Sequence, residues 1–280
     1  MKRKLTRIAL AALGSAGLLW SAAASSALIT SFTASGTVGA TVAAYPTAFS
    51  AGAGTLTVSG IPAGASILQA YLYANNYFGT PDASATFDGN ALGAVAPFAT
   101  DGGFSAYRWD VTGLVTGDGA YSASYSGPTN TYGLALAVAF SHPSLPVSTV
   151  CINDGAVDID GPETASTSCA GMAAGSGTLW IHTAADNALG ESGEEIRYNG
   201  AVVGGPIDAN LGDFASLFEL AVTNLDGLNT AEIFSPADQF GWDLAVFAGP
   251  AGETGVPEPG SLALLGLGLA AFALARRRKS

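Results

Sequence analysis

From Leu28 to Gly255 the apolar residues recur at every second position in short runs, and each run ends in a cluster of Gly, Pro, Asn or Asp. No segment of that span keeps the three-and-four spacing of a helix. A period of two places successive side chains on opposite faces of an extended backbone, so such a chain folds by pairing strands and burying sheet faces against one another. The expected fold is all-β: an antiparallel β-sandwich of jelly-roll type, with helical targeting segments only at the N- and C-terminal ends.

The runs themselves carry the argument. Thr55 to Val58 reads as a strand closed by the turn Gly60-Ile61-Pro62-Ala63-Gly64. Ile67 to Tyr77 places Ile67, Gln69, Tyr71 and Tyr73 on one face and Leu68, Ala70, Leu72 and Ala74 on the other, which suits a central strand. Tyr132 to Phe140 has Leu134, Leu136, Val138 and Phe140 on one side and only Ala135, Ala137 and Ala139 on the other. A face of alanines admits close packing, most simply by a second sheet.

Themes of the first half return in the second. Tyr198-Asn199-Gly200 repeats the turn chemistry of Phe87-Asp88-Gly89, and Ser216, Phe218, Val222, Thr223 and Leu225 follow Ser105, Tyr107, Val111, Thr112 and Leu114 at an offset of 111. Gly241 to Val246 echoes Gly133 to Val138 at an offset of 108. Two related β units are therefore expected, one over 28–140 and one over 177–255, joined by a connection over 141–176.

Both ends read as addresses. Met1-Lys2-Arg3-Lys4 leads an apolar stretch from Ile8 to about Ala24, the form of a signal peptide for Sec-type export, with small residues that favour cleavage after Ala27. At the other end Val256-Pro257-Glu258-Pro259-Gly260-Ser261 precedes an uncharged apolar run to Ala275, then Arg276-Arg277-Arg278-Lys279. That run is shorter than the roughly 20 residues that span a bilayer comfortably, and its cationic end favours the cytoplasmic side.

Residues 256–280 resemble the PEP-CTERM sorting signal of exported bacterial proteins. The resemblance implies cutting near Pro257 to Pro259 by a membrane-embedded exosortase, transient inner-membrane insertion through 262–275, and delivery to the surface or extracellular polysaccharide and biofilm matrix of a Gram-negative bacterium. A weaker resemblance, carried by Ile67 to Tyr73, Trp109 to Thr112, Gly133 to Phe140 and Pro143 to Gly155, links the exported part to an uncharacterised domain of bacterial and archaeal surface proteins. It implies an extracellular β-sandwich with no catalytic residues to transfer.

Charge narrows the partners. Eight of the ten Lys and Arg lie in the two end signals, so 28–255 holds only Arg108 and Arg197 against 21 acids, a net charge of −19. Nucleic acid and anionic lipid headgroups would repel such a chain. With no lysine in that span, Lys-to-Asn isopeptide crosslinks are excluded as well. Cys151 and Cys169, 18 positions apart in an exported chain, are expected to form a disulfide.

Chemistry is sparse. The two histidines are His142, ahead of Pro143 in a turn, and His182, inside a strand. No nucleophile elbow, zinc-protease helix or phosphate loop occurs in the exported part, so no catalytic residue is assigned and a non-enzymatic role is expected. Asp154, Asp158, Asp160 and Glu163 cluster beside the cysteines with Gly155 and Gly161. They read either as a solvated acidic loop or as ligands of Ca²⁺, which wants several oxygens on a flexible loop. Tyr71 with Tyr73 and Tyr121 with Tyr125 read as core or as a sugar-stacking face. The functional expectation is a structural or interaction protein of the polysaccharide matrix. A carbohydrate-binding module, with or without Ca²⁺, and a polysaccharide hydrolase working through paired carboxylates stand as alternatives.

Overall fold

The computed structural model describes residues 27–47, 52–79, 81–127, 131–185, 193–212 and 214–252. The leader before Ala27, the sorting segment 256–280 and the helices expected at both ends lie outside the described residues.

The strand β1 (Ile29–Gly36) precedes two groups. The first group comprises β2 (Val38–Pro46), β3 (Ala53–Val58), β4 (Ser66–Tyr77), β5 (Ala83–Phe87), β6 (Asn90–Val95), β7 (Ala99–Asp101), β8 (Phe104–Asp110), β9 (Gly119–Ser126) and β10 (Thr131–Ser141). The second comprises β11 (Ser148–Asp160), β12 (Glu163–Met172), β13 (Gly175–Ala184), β14 (Glu195–Tyr198), β15 (Ala201–Gly204), β16 (Ala215–Asn224), β17 (Gly227–Ser235) and β18 (Gln239–Pro250).

Four antiparallel sheets result, in the orders β3-β9-β5-β6, β2-β10-β4-β8-β7, β1-β11-β18-β13-β16 and β12-β17-β14-β15. With β1 and β7 set aside, each group places its first, eighth, third and sixth strands in one sheet and its second, seventh, fourth and fifth in the other. That order is the jelly roll, which folds two Greek keys into a sandwich. The molecule is two jelly rolls stacked through their inner sheets. Each roll has its own core: Leu56, Phe87, Tyr125, Leu134 and Leu136 in the first, Ile159, Ile196, Ile233, Trp242 and Phe247 in the second. A third core lies between the inner sheets, where Ala135, Ala137 and Ala139 of β10 meet Val150, Ile152, Leu244 and Val246. The alanine face is thus what lets the rolls approach.

The registers of the two rolls correspond. Phe87 pairs with Asn90 as Tyr198 pairs with Ala201, across turns in which Asp88 and Gly89, like Asn199 and Gly200, all have positive φ. Two successive positive φ values suit the right-handed twist of a two-residue hairpin, which explains the Asp-Gly and Asn-Gly choices. Ala74 pairs with Tyr107 and Leu134, and Ile181 pairs with Phe218 and Ala245. Taking Tyr107 as the counterpart of Phe218 therefore makes Leu134 the counterpart of Ala245 and Leu136 that of Phe247. The sequence echo at 108 selects the right strand but the wrong register. It sets Leu136, in the first roll's core, opposite Leu244, which packs between the rolls; an odd slip reverses every side chain.

The stretch 141–176, expected as a connection, instead supplies the first two strands of the second roll. The Cys151–Cys169 disulfide, with Cα atoms 5.9 Å apart, joins β11 to β12 and so links that roll's two sheets. By register its counterparts in the first roll are Ala43 and Leu56, two members of an all-apolar core. Reducing the bond or replacing both cysteines with alanine is expected to destabilise the second roll by about 3 kcal/mol. Urea unfolding with and without reductant measures this, and an unchanged midpoint would remove the staple's role.

Candidate functional site: a polar seam between the rolls

The apolar core between the inner sheets is interrupted by three carboxylates, each held by donors from the opposite roll. Asp154 of β11 receives the Tyr73 hydroxyl at 2.6 Å, the Arg108 guanidinium at 2.7 Å and the Ser31 hydroxyl at 2.8 Å, all on Oδ2. β4 and β8 of the first roll present Tyr73 and Arg108 as direct cross-strand partners, which is why both reach one carboxylate. Arg108 also lies 4.6 Å over the Tyr71 ring and 4.8 Å over Phe98. Burial opposes its charge, but the hydrogen bond and charge of Asp154 outweigh that and raise the guanidinium pKa above its ordinary value.

Asp243 of β18 is the second. It accepts Asn75 Nδ2 at 3.0 Å on one oxygen and faces His182 Nδ1 at 2.7 Å on the other, and all three residues have zero exposure. In the jelly-roll register Asn75 of β4 is the counterpart of His182 of β13, so equivalent positions of the two rolls converge on one carboxylate. Gly133 makes room for the imidazole: a Cβ there would stand 3.1 Å from His182 Nε2.

Asp158 is the third. It accepts the Tyr77 hydroxyl in a short hydrogen bond, Gln239 Nε2 at 3.2 Å and the Gly103 N–H at 3.0 Å, while its own N–H donates to Asp101 at 3.1 Å. A buried carboxylate is costly unless such donors replace its water. Tyr77 and Gly103, like Tyr73, Arg108 and Asn75, belong to the first roll, so each carboxylate gains these donors only when the rolls are docked.

The four acids that read as a solvated loop or as Ca²⁺ ligands are dispersed along the β11–β12 hairpin. Asp154 is buried on Arg108 and Tyr73, Asp158 is held by Tyr77 and Gln239, and Asp160 is exposed beside Glu163, whose Oε2 accepts the Asp160 N–H at 3.3 Å. Among the described residues no three of His, Cys, Asp and Glu are grouped to hold a metal ion. The physical reason is the extended backbone: Asp154, Asp158 and Asp160 share one face of β11, but the four residues from Asp154 to Asp158 span about 13 Å of strand, and each of the two meets its own donors on the first roll. Three of the four tyrosines are core, Tyr73, Tyr121 and Tyr125 being buried, while Tyr71 is half-buried under Arg108. His142 lies in the turn after β10, bonded to Ser144 at 2.7 Å. Sequence reasoning missed Arg108, Asn75, Asp243 and Gln239. The isolation of Arg108, one of two cations in the very acidic span 28–255, was the signal available.

The seam is sealed at its middle carboxylate, where His182 and Asp243 meet no solvent, whereas the Arg108 side chain keeps 28% of its surface and Asp158 is half-buried. As it stands its chemistry is cohesion.

The address at the C-terminal end decides more. Residues 255–279 match the PEP-CTERM protein-sorting motif. A PEP-CTERM motif marks an exported protein that passes through membrane-anchored processing by exosortase. Val256, Pro257, Glu258, Pro259 and the run 262–275 lie outside the described residues, and no helix among the described residues is long and apolar enough to cross a membrane. No curated protein matches the chain. Among solved structures it is similar to a conserved Pseudomonas aeruginosa protein of unknown function, at 13% identity and TM-score 0.33 over 76% of this chain and 80% of that one. It is similar to a β-porphyranase of glycoside hydrolase family 86 from Bacteroides plebeius at 12% identity and TM-score 0.25, covering 76% of this chain and 35% of the enzyme. PNGF-II follows at 9% identity and TM-score 0.27, over 71% of this chain and 59% of that one.

Proposed function

We propose that the protein is a non-enzymatic structural or interaction component of the extracellular polysaccharide matrix of a Gram-negative cell. Exported through its leader and held in the inner membrane by 262–275, it is released or re-attached after exosortase cuts near Pro257 to Pro259. The observation that carries the reading is the PEP-CTERM motif on a double jelly roll whose one histidine–carboxylate pair is sealed inside. The buried carboxylates bind the rolls into one body, as suits a protein working outside the cell without chaperones or metabolic energy.

The test is made in the native host on the full chain. Replacing Pro257 and Pro259 with alanine is expected to leave uncut protein in the inner membrane, whereas the unaltered chain appears in the matrix fraction with new termini by mass spectrometry. Intact chain in the cytosol, or turnover of matrix polysaccharide by the purified protein, would overturn the proposal.

A further inference from the structure

Eight large apolar side chains are exposed among the described residues, and three of them gather where the chain leaves the second roll toward its sorting segment. At that exit Ala251 N–H donates to the Val147 carbonyl at 3.2 Å, Gly252 N–H to Gly171 at 2.9 Å, and Ala173 N–H to Pro250 at 2.8 Å. Val147, 62% exposed, therefore lies beside the departing strand. On its other side the β16–β17 turn carries Leu225 and Leu228, 54% and 59% exposed, on either flank of Asp226-Gly227. Asp226 and Gly227 line a cavity of about 480 Å³ together with Met172 and Gly252, so the two leucines flank residues that share this cavity with the last described residue. Their position is fixed: Asp226 accepts the Ala174 N–H at 2.7 Å, and Asn229 accepts the Leu225 N–H at 2.7 Å and donates to the Leu225 carbonyl at 2.9 Å.

We propose that Val147, Leu225 and Leu228 form a membrane-resting face, which seats the second roll on the headgroup–acyl boundary of the bilayer while the sorting segment is embedded. The inference rests on the anchored state of the proposed function. Only residues 253–261 separate Gly252 from the apolar run, a reach of about 30 Å when fully extended. A tether of that length holds the face at an effective concentration of about millimolar near the lipid, so two or three apolar side chains suffice for a weak contact to be populated. The occupant is lipid rather than a charged surface because nothing on the roll can attract anions. No lysine lies between 28 and 252, Arg108 is committed to Asp154 and Arg197 to Glu195. Contact is thus apolar: insensitive to added salt on zwitterionic lipid, weakened as the anionic lipid fraction rises, and partly restored there by salt, which screens the repulsion.

The full chain in phosphatidylethanolamine and phosphatidylcholine vesicles carrying a photoactivatable phospholipid tests this, with labelled peptides mapped by mass spectrometry. The expected labels fall on 262–275 and on the peptides holding Val147 and Leu225 to Leu228. The Leu225→Asp, Leu228→Asp pair is expected to lower the second set more than about tenfold and leave the first unchanged. Both leucines are exposed, and an unchanged unfolding midpoint verifies the fold of that variant. Labels on 262–275 alone overturn the resting face but keep the anchor. Labels on neither overturn both. With a photoreactive leucine analogue at 225 or 228 in place of the lipid probe, crosslinks to a second copy or to the chain's own residues 253–261 instead of to lipid also overturn it.

Discussion

Raising the pH from 9 toward 13 is expected to unfold the double roll steeply, between about pH 11 and 13. Tyr73, Tyr77, Tyr125 and Tyr198 are each at most 4% exposed, and their phenol pKa values lie above the ordinary tyrosine value. Burial is the first cause in all four; Asp154 adds to it for Tyr73, Asp158 for Tyr77 and Tyr107 for Tyr125. A phenol whose folded pKa is raised stays neutral in the native state but ionises near pH 10 once unfolded. Its stabilisation is whole below pH 10 and is lost as pH rises toward the folded value. Each such phenol contributes about 1.4 kcal/mol per pH unit, so four give a slope of about 5, which consumes a typical domain stability of 5–15 kcal/mol within one to three units. With no lysine between 28 and 252, tyrosine dominates this titration range. Tyrosinate absorbance and circular dichroism should change together; phenols that ionise near pH 10 with secondary structure intact would refute the assignment.

Arg108→Leu is the second large effect, expected to cost about 3 kcal/mol. The substitution removes the one cation facing Asp154, which is 1% exposed, and leaves a buried carboxylate with two hydroxyl donors. Breaking one side of a buried pair typically costs about 3–5 kcal/mol, and the low end applies because the guanidinium is 28% exposed and keeps some water. The Arg108→Leu, Asp154→Asn double variant should be more stable than Arg108→Leu alone, since a neutral amide needs no counter-charge. Arg197→Leu, by contrast, breaks a pair about one-third exposed on both sides and should cost less than about 1 kcal/mol. Urea unfolding of the four proteins checks the order. Equal losses for Arg108→Leu and Arg197→Leu would mean that the seam does not depend on its ion pair.

Much of the architecture was legible because sheets write their faces into the sequence. The two faces of Gln69 to Ala74, the alanine face of Tyr132 to Phe140 and the Asp-Gly and Asn-Gly turns each state a local requirement that only neighbouring residues enforce. By contrast, a register shift between Gln69 and Ile67 turns Ile67 onto the face of Ala70 and Leu72 and leaves Leu68 exposed. The seam was not legible. Asp154 and Arg108 are 46 positions apart, Asn75 and Asp243 168, and nothing in composition tells an acid that meets a cation across an interface from one that meets water. The acidic cluster was undecided for the same reason: its close spacing along the chain allowed a shared site, whereas the rise of an extended β11 carries Asp154, Asp158 and Asp160 apart to different partners.

By itself, then, the sequence determined the strand period, the turn types, the duplication and the export address, because each depends on residues close together or on a motif read in extended form. Tertiary structure alone decided the register between repeats, the placement of β11 and β12 inside the second roll, and the pairing of Asp154, Asp158 and Asp243 with the first roll. Those outcomes depend on which faces lie about 10 Å apart once sheets stack, and that distance has no image in the order of residues.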